Sequence, residues 1–233
     1  MKAALLRLDA QQPPVLMVAF NPYAGLQLVG HLQEKATMYY CYDEISHAAW
    51  ISKHGGRLEK QLMQKADAVL VSSAQLMEDK RPYCHRIFLM KNGVNTSIFG
   101  QAFQPNPVIG RRQIGFIGSL DNRVDYELLL AVVKALPDWQ FSFTGRLIDQ
   151  DSFRPIQALP NVSWTPSVPP ESLPQILASF DVGIIPFAKT GFTKAIYPLK
   201  INEYLMAGLP VVTTRFTHLD DFEPFCHVAD DAQ

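Results

Sequence analysis

The sequence predicts an α/β protein with two Rossmann-like lobes, each built on a parallel β-sheet. Short, continuously apolar strands alternate with helical segments along almost all of the 233 residues. This alternation is typical of parallel sheets that are covered by helices on both faces. It falls into two runs, which a polar stretch with two prolines, 100–108, separates. A chain of this length also suits two lobes of roughly 100–130 residues better than one small domain.

The first run, residues 1–107, is predicted to form a partial N-terminal lobe. Its strands are short apolar stretches, and its helices are the segments between them. In chain order the strands are 15–20, 37–43, 68–73 and 86–90, and the helices are 25–34, 56–65 and 74–80. The last strand runs into a turn at Asn92-Gly93, a typical turn dipeptide.

The second run, residues 108–233, is predicted to form the C-terminal lobe. It opens with strand 113–118, and a helix follows from about Val124 to Ala135, capped by Asp121 or Asn122. The later strands are 139–145, 161–164, 181–187, 210–214 and about 225–228, and the shorter helices are about 153–158 and 171–179. Ligands in open α/β sheets bind beyond the carboxyl ends of the strands. We therefore expect the binding residues at those ends, in a cleft between the lobes.

The segment from Asp181 to Thr214 is the most informative about function. It consists of a buried strand, a loop, a short amphipathic helix that opens after Pro198, and a second buried strand. The packed stripe of the helix is formed by Ile201, Tyr204, Leu205 and Gly208. Lys200 and Glu203 lie on a different face, near the helix end that attracts anions. A cation and a carboxylate at this place suit a nucleoside diphosphate and its ribose.

Composition and charge exclude several classes of function. The formal net charge of −1 gives no reason to expect nucleic acid as the main partner. The cysteines Cys41, Cys84 and Cys226 are dispersed and predict free thiols, buried at Cys41 and Cys226, in a reduced cytoplasmic chain. No apolar run approaches the ~18–20 residues of a membrane-spanning helix. Asp149 and Asp151 have the spacing of a metal-binding pair but lie in a predicted polar loop, so we expect no metal there.

Four blocks of sequence together resemble one known family. They are KADAVLVSSAQLMEDK followed by IFLMKNGVNTSIF, then IGFIGSLDNRVDYELL, then LPNVSWTPSVPPESLPQILASFDVGIIPF, and finally PLKINEYLMAGLPVVTT. The chain resembles the retaining, nucleotide-sugar-dependent glycosyltransferases of the GT-B fold, group 1 (family 4-like). The resemblance extends over roughly 15–229, and its last two blocks are specific when taken together.

The resemblance implies a GT-B fold with an incomplete N-terminal lobe. It implies that the C-terminal lobe binds a UDP- or GDP-linked hexose and that the N-terminal lobe binds a saccharide or lipid-linked acceptor. It also implies transfer with retention of the anomeric configuration, in cell-surface polysaccharide synthesis, by a cytoplasmic protein at the inner membrane face. Neither a cofactor nor a metal is implied, because basic side chains and helix dipoles meet the phosphate charge.

The chain departs from the family pattern in two respects. The family commonly carries two glutamates separated by seven residues, and Glu203 matches the second, which grips the donor ribose. Ala195 stands in the place of the first glutamate. Family members also extend beyond both ends of this sequence, so we expect it to be an internal piece of a glycosyltransferase.

The candidate donor-binding residues are Glu203, Lys200, Arg146, Arg123, Gly118 and Ser119. The carboxylate is expected to accept hydrogen bonds from ribose hydroxyls, and the basic residues to contact the diphosphate. Gly118-Ser119 lets backbone amides approach a phosphate. Asp43, at the end of an apolar strand, is the candidate catalytic acid on the acceptor side. Each assignment has a structural alternative. Lys200 and Glu203 could form an ion pair, the basic residues could be ordinary surface charges, Gly118-Ser119 could be a plain tight turn, and Asp43 could cap a helix.

Two other functions stay open at this point. A sugar-nucleotide epimerase shares the fold and would convert the donor with no acceptor present. A truncated, non-catalytic module that binds nucleotide sugar is favoured by Ala195 and by the missing ends.

Overall fold

The computed structural model describes residues 12–47, 51–105 and 110–229, which form two compact units. The first unit contains the described residues up to Asn92 together with Lys194–Tyr197. The second contains those of Gly93–Thr193 and those from Pro198 onward. Each unit is an α/β structure on one parallel sheet, so the predicted fold class is confirmed.

The sheet of the first unit has four parallel strands in chain order. The strands are β1 (Val15–Ala19), β2 (Ala36–Cys41), β3 (Ala68–Val71) and β4 (Ile87–Leu89). The helices between them are α1 (Pro22–Leu28), α2 (Ser52–Lys65) and α3 (Ala74–Lys80). α1 begins before the predicted Gly25 because the Asn21 side chain caps it by accepting a hydrogen bond from Ala24 N.

The helices of the first unit pack on one face of its sheet. Alternate residues of a strand point to opposite faces. Val18, Tyr39 and Val71 share the helix-facing side and are at most 6% exposed. Leu62 of α2 and Leu76 of α3 are fully buried against them, which joins the sheet and both helices in one core.

A buried ion network also joins the elements of the first unit. Lys80 Nζ lies 2.6 Å from Glu44 Oε2 and 2.8 Å from Glu59 Oε2. The other carboxylate oxygen of Glu59 accepts hydrogen bonds from Tyr39 Oη at 2.8 Å and from Cys41 Sγ at 3.2 Å. Because these side chains come from β2, the residues after it, α2 and α3, the network fixes those elements to one another.

The sheet of the second unit has six parallel strands in the order β10-β9-β8-β5-β6-β7. The strands are β5 (Gln113–Ile117), β6 (Gln140–Thr144), β7 (Val162–Thr165), β8 (Val182–Ile185), β9 (Val211–Thr214) and β10 (Cys226–Ala229). The helices are α4 (Thr96–Phe99), α5 (Tyr126–Ala135), α6 (Gln150–Gln157), α7 (Leu173–Leu177), α8 (Gly191–Lys194) and α9 (Leu199–Met206). β5 pairs with β6 on one side and with β8 on the other. The strand order therefore reverses at β5, and such a point is where open α/β sheets bind ligands.

The division between the units falls between Asn92 and Gly93, whereas the sequence predicts it at 107/108. The physical reason is α4, which packs with α7 and α9 and buries Phe99 to 7% exposure. Phe103 lies against Gly208, where an added Cβ would come 2.6 Å from its ring. The first part of the predicted linker thus belongs to the second unit, and 106–109 lie outside the described residues.

Other differences from the predicted elements follow from the capping residues. α5 begins at Tyr126, because Asp125 and not Asp121 or Asn122 accepts the capping hydrogen bond, from Leu128 N at 3.0 Å. α6 begins earlier than predicted, at Gln150, because Asp149 caps it. Cys41 is buried as expected, while Cys226 is only half-buried. Among the described residues, no helix has the length and apolarity needed to cross a membrane.

Candidate functional site

The carboxyl end of β5 runs into a turn that only glycine fits well. Gly118 has a φ of +138°, which side-chain-bearing residues rarely adopt. Its amide donates a hydrogen bond of 2.8 Å to Thr144 O, at the end of β6. Gly145 follows that strand, and a Cβ there would come 1.9 Å from Gly118 O. The two glycines therefore allow the ends of β5 and β6 to meet backbone against backbone.

Lys200, in the first turn of α9, lies directly on this glycine turn. A Cβ on Gly118 would come 2.3 Å from Lys200 Cε and 2.7 Å from Nζ. The ammonium also lies 5.9 Å from the centroid of the Phe116 ring, within the range of a cation–π contact. The structure thus brings together two residues that were predicted separately from a helix pattern and from a turn dipeptide.

No anionic group of the described residues is bonded to the Lys200 ammonium. The ammonium makes no hydrogen bond or ion pair with any residue in the described ranges. Burial lowers the pKa of Lys200, and the nearby Glu203 carboxylate offsets only part of that effect. Lys200 is half-buried, and a partly desolvated cation without an acceptor is unfavourable in the folded protein. The site therefore favours an anion supplied from outside.

Glu203 lies one turn further along α9 and is half-buried. Burial raises the pKa of its carboxyl group, and Lys200 opposes that rise. No donor within the described part of the chain hydrogen-bonds to the carboxylate. The closed Lys200–Glu203 ion pair, which was the structural alternative, is therefore not formed.

Tyr204, the neighbour of Glu203, holds α9 on the sheet. Its ring lies over Gly183 of β8, where a Cβ would come 2.7 Å from Tyr204 Cδ2. Its hydroxyl oxygen accepts a hydrogen bond of 3.0 Å from Ile117 N, the last residue of β5. The helical spacing predicts Tyr204 as a packed residue but not this hydrogen bond, which fixes the candidate site to the end of β5.

Arg123 lies in the turn between β5 and α5, because α5 begins at Tyr126 and not at the predicted Val124. Its guanidinium binds Asp121 in a bidentate manner, with Nε–Oδ1 at 2.8 Å and Nη2–Oδ2 at 2.7 Å. It also lies 5.4 Å from the centroid of the Phe187 ring. Arg123 is near enough to Lys200 to lower the pKa of that lysine. A second cation is thus held near Lys200 in a fixed orientation.

Ser119 and Arg146 lie beside the same glycine turn. Ser119 follows Gly118, and its amide and hydroxyl donate to no acceptor within 12–47, 51–105 or 110–229. Arg146 is exposed, and its carbonyl oxygen accepts a hydrogen bond of 2.8 Å from Leu120 N. The backbone therefore places both residues at the end of the sheet where Lys200 lies.

The remaining candidate residues are Asp43 in the first unit and the pair Asp149 and Asp151 in the second. Asp43 follows β2 in the first unit and is half-buried, and its carbonyl oxygen accepts a hydrogen bond of 3.3 Å from Cys41 Sγ. Asp149 caps α6, and Asp151 pairs with Arg154 at 2.8 Å on an exposed surface. The two aspartates with metal-like spacing thus have structural roles at a helix start.

An apolar cavity of about 340 Å³ opens elsewhere in the second unit. It lies between α5 and the strands β8, β9 and β10, and residues such as Leu128, Val132, Ile184 and Val212 line it. None of its lining residues is charged. Since a phosphate needs cationic or amide donors, this cavity is not the candidate anion site.

The hydroxyl of Tyr126 is buried and has no hydrogen-bond partner among the residues that the structure describes. Burial raises the pKa of Tyr126, and the carboxylates of Asp149 and Asp121 raise it further. An unsatisfied buried hydroxyl destabilises a folded protein.

Replacing Tyr126 with phenylalanine is therefore expected to raise the free energy of unfolding by about 1 kcal/mol. Urea unfolding of the second unit, followed by hydrogen exchange at β5 and β6, measures the change. Tyr39→Phe is the matched control, because that hydroxyl donates to Glu59 at 2.8 Å and its loss should destabilise the first unit. A loss of stability in Tyr126→Phe would show that its hydroxyl has a partner in solution.

Three comparisons place this architecture among known proteins. The family model described as "Glycosyl transferases group 1" matches residues 111–226. The chain is 33% identical over 168 residues to TuaH of Bacillus subtilis (strain 168). TuaH is named as a teichuronic acid biosynthesis glycosyltransferase. That match takes in 67% of this chain and 42% of TuaH.

Solved structures share the fold at low sequence identity. Sucrose-phosphate synthase from Thermosynechococcus elongatus matches with a TM-score of 0.74 and 19% identity, over 99% of this chain and 65% of that one. HepE from Anabaena, crystallised with UDP and glucose, matches with a TM-score of 0.71 and 14% identity, over 100% of this chain and 68% of that one. The chain thus spans less than half of its curated relative and about two thirds of these structures. The sequence relationship and the shared architecture lead to one conclusion: the chain belongs to the group 1 glycosyltransferases of the GT-B fold.

Proposed function

We propose that the second unit binds the diphosphate and ribose of a UDP- or GDP-linked sugar at the carboxyl end of β5. The observation that carries this proposal is the Lys200 ammonium, packed on the Gly118 turn with no protein anion bonded to it in the described residues. Such a cation is unfavourable until an anion completes its surroundings. A diphosphate is an anion of suitable charge.

The groups around Lys200 suit the rest of such a ligand. The Ser119 amide and hydroxyl are available as phosphate donors. The Arg123 guanidinium, oriented by Asp121, supplies a second cation. Glu203, one turn further along α9, offers two carboxylate oxygens to the vicinal hydroxyls of a ribose.

The proposed reaction is the transfer of a hexose to a hydroxyl of the acceptor, with retention of the anomeric configuration. The bond between the anomeric carbon and a diphosphate oxygen breaks, and the electron pair leaves with the diphosphate. Lys200 and Arg123 stabilise the negative charge that develops there, so we assign no metal or other cofactor to this step. The acceptor oxygen bonds to the anomeric carbon and gives up its proton, for which Asp43 of the first unit is the candidate acid–base residue.

The proposed acceptor is a saccharide or lipid-linked saccharide of a cell-surface polysaccharide. The name of TuaH refers to teichuronic acid biosynthesis, and HepE was crystallised with UDP and glucose, which supports this choice of substrates. With a lipid-linked acceptor, the protein would act in the cytoplasm at the inner face of the membrane.

Calorimetric titration with UDP and GDP tests the donor site. Glu203→Ala is expected to weaken the binding of the preferred nucleotide by about 1–3 kcal/mol, the range of charged hydrogen bonds. Glu127→Ala is the matched control, because Glu127 is an exposed carboxylate in the first turn of α5. Unchanged affinity in Glu203→Ala would remove Glu203 from the site, and no binding of either nucleotide to the unmodified protein would overturn the proposed function.

Product analysis by NMR then distinguishes transfer from its alternatives. A transferase forms a new glycosidic bond only when acceptor is added, whereas an epimerase converts the nucleotide sugar without one. A non-catalytic nucleotide-sugar-binding module is the second candidate, and Ala195 in place of the first family glutamate favours it. Nucleotide binding without turnover of any UDP- or GDP-hexose would support that module.

A further inference from the structure

Four residues from the second half of the sequence are built into the first unit. Lys194–Tyr197 belongs to the first unit, although Thr193 before it and Pro198 after it belong to the second. Ala195 is 2% exposed and lies in the same core cluster as Val18 and Leu76. We call this segment, 194–197, the inserted segment.

Ser73, which belongs to the first unit, binds the inserted segment. Its hydroxyl donates a hydrogen bond of 2.6 Å to Ala195 O. The Ser73 hydroxyl oxygen also accepts a hydrogen bond of 3.2 Å from Leu76 N and so caps α3. One hydroxyl has one proton to donate and lone pairs to accept, so Ser73 performs both tasks at once. At 6% exposure it has little access to water as an alternative partner.

The inserted segment leads directly into α9, the helix that carries Lys200 and Glu203. Pro198 occupies the N-cap position, and no side chain caps this end of the helix. α9 has only eight residues. Helices of this length are marginal unless tertiary contacts fix them. Tyr204 fixes the middle of α9 to β5, whereas the residue before its N-cap belongs to the inserted segment.

We propose that Ser73 is a positioning residue for the donor site. By binding Ala195 O it restrains the chain that enters α9, and it thereby restrains the first helical turn, where Lys200 is placed on Gly118. The functional half of this inference rests on the function proposed above. Ser73 acts through the backbone and touches no substrate.

The position of Ala195 agrees with this assignment. A carboxylate there would be buried in the apolar core of the first unit beside Val18 and Leu76. The alanine side chain is small enough to enter that core, and the backbone carbonyl oxygen of Ala195 accepts the hydrogen bond from Ser73. The departure from the family pattern at 195 thus coincides with the contact that secures the inserted segment.

The test uses one variant, one conservative replacement and two controls. Ser73→Ala removes the hydrogen bond to Ala195 O and the α3 cap, and Ser73→Thr keeps a hydroxyl for both. Ser72→Ala controls for the loss of a buried hydroxyl, because Ser72 Oγ donates at 2.8 Å to Tyr42 O and not to the inserted segment. Asn21→Ala controls for the loss of a helix cap in the same unit.

Two measurements are made on the whole chain. Hydrogen–deuterium exchange without nucleotide reports on 194–197 and on the first turn of α9. Calorimetry reports the affinity for UDP or GDP.

In Ser73→Ala, exchange is expected to rise in both segments and nucleotide affinity to fall about threefold to tenfold, the effect of losing one ordinary hydrogen bond. Ser73→Thr should restore both readouts, and neither control should change them. Faster exchange in 194–197 with an unchanged first turn of α9 would overturn the positioning role, as would equal effects in either control. If the unmodified protein binds neither nucleotide, the proposed function fails, while the exchange measurement still decides whether Ser73 positions α9.

Discussion

Replacing Lys80 with methionine is expected to lower the free energy of unfolding of the first unit by about 3–5 kcal/mol, the cost of breaking a buried ion pair. The variant leaves the carboxylates of Glu59 and Glu44 without their cation. Glu59 is 1% exposed, so water cannot take the place of the ammonium. Tyr39 and Cys41 would still donate to one of its oxygens, but they carry no compensating charge.

The protonation states in this network indicate how strongly it depends on Lys80. Burial by itself lowers the pKa of Lys80, but the Glu59 carboxylate and the other acidic groups around it raise the value above that of an ordinary lysine. Burial raises the pKa of Glu44, and the hydrogen bond and charge of Lys80, together with the hydrogen bonds from Ser46, lower it by more. The contribution of Glu44 is therefore present above the ordinary glutamate pKa of ~4.3 and is lost as pH falls through its lower folded-state value. In Lys80→Met, the part of the acid-dependent loss of stability that comes from the contact between Glu44 and Lys80 should disappear.

Hydrogen exchange at the amides of β2 and β3 in increasing urea measures the stability of the first unit alone. Lys65→Met is the matched control, since Lys65 is exposed at the end of α2. Its effect should stay within about 0.5 kcal/mol. Adding Glu59→Gln to Lys80→Met should recover part of the loss, because the uncompensated buried charge is then removed. Equal stability in the two lysine variants would show that the network is not closed in solution.

The sequence predicts the two sheets because continuous apolar strands and helical spacing are local properties. Every strand of the described residues lies close to a predicted one, although the expected cover on both faces fails in the first unit, where Met17 of β1 and Phe88 of β4 are exposed. The ends of elements are less predictable. Asp121, Asn122 and Asp125 are all good caps, and only the fold shows that Asp125 bonds to Leu128 N.

The candidate site was predicted in part for the same reason. Helical spacing places Lys200 and Glu203 near each other on one helix, and Gly118-Ser119 is recognisable as a turn. The contact between Lys200 and Gly118 joins residues far apart in the sequence, and no periodicity reports such contacts. The Asp121–Arg123 pair was also missed, because neighbouring charges in a loop are more often solvated than paired.

The role of Ala195 was beyond sequence reasoning. A single alanine between a lysine and an isoleucine has no pattern that assigns it to a core, and its partners Ser73 and Val18 lie more than a hundred residues away. The same limit applies to Lys80. A lysine at a helix end is expected to be exposed, but Lys80 is only 5% exposed in the fold.

Replacing Lys200 with methionine is expected to weaken the binding of UDP or GDP by about 2–5 kcal/mol, the cost of removing one partner from a desolvated charge pair. Methionine keeps much of the length and apolar stem of lysine, so the packing on Gly118 and Phe116 is largely retained. What is lost is a charge packed on Gly118 that no described protein group neutralises by direct contact. Lys134→Met, at an exposed position in the last turn of α5, is the matched control.

The same variant should make the nucleotide-free protein more stable. Burial lowers the pKa of Lys200, with Glu203 offsetting only part of this effect, so folding disfavours its charged form. For a group with a lowered pKa in the folded state, the stability contribution is present above the unfolded value of ~10.4 and is lost as pH falls through the folded value. At neutral pH, below the unfolded value, the unmodified protein therefore bears a penalty for the desolvated charge, and Lys200→Met removes it.

Nucleotide affinity should change with pH in the opposite sense. A bound diphosphate stabilises the ammonium, so affinity in the unmodified protein should decline as pH rises toward the lowered pKa of Lys200. In Lys200→Met the affinity should be weak and nearly independent of pH over this range. If Lys200→Met gains stability and loses nucleotide binding, Lys200 serves ligand binding and destabilises the nucleotide-free fold. If Lys200→Met instead binds UDP and GDP as tightly as the Lys134→Met control, the diphosphate lies elsewhere and the donor site must be sought away from the Gly118 turn.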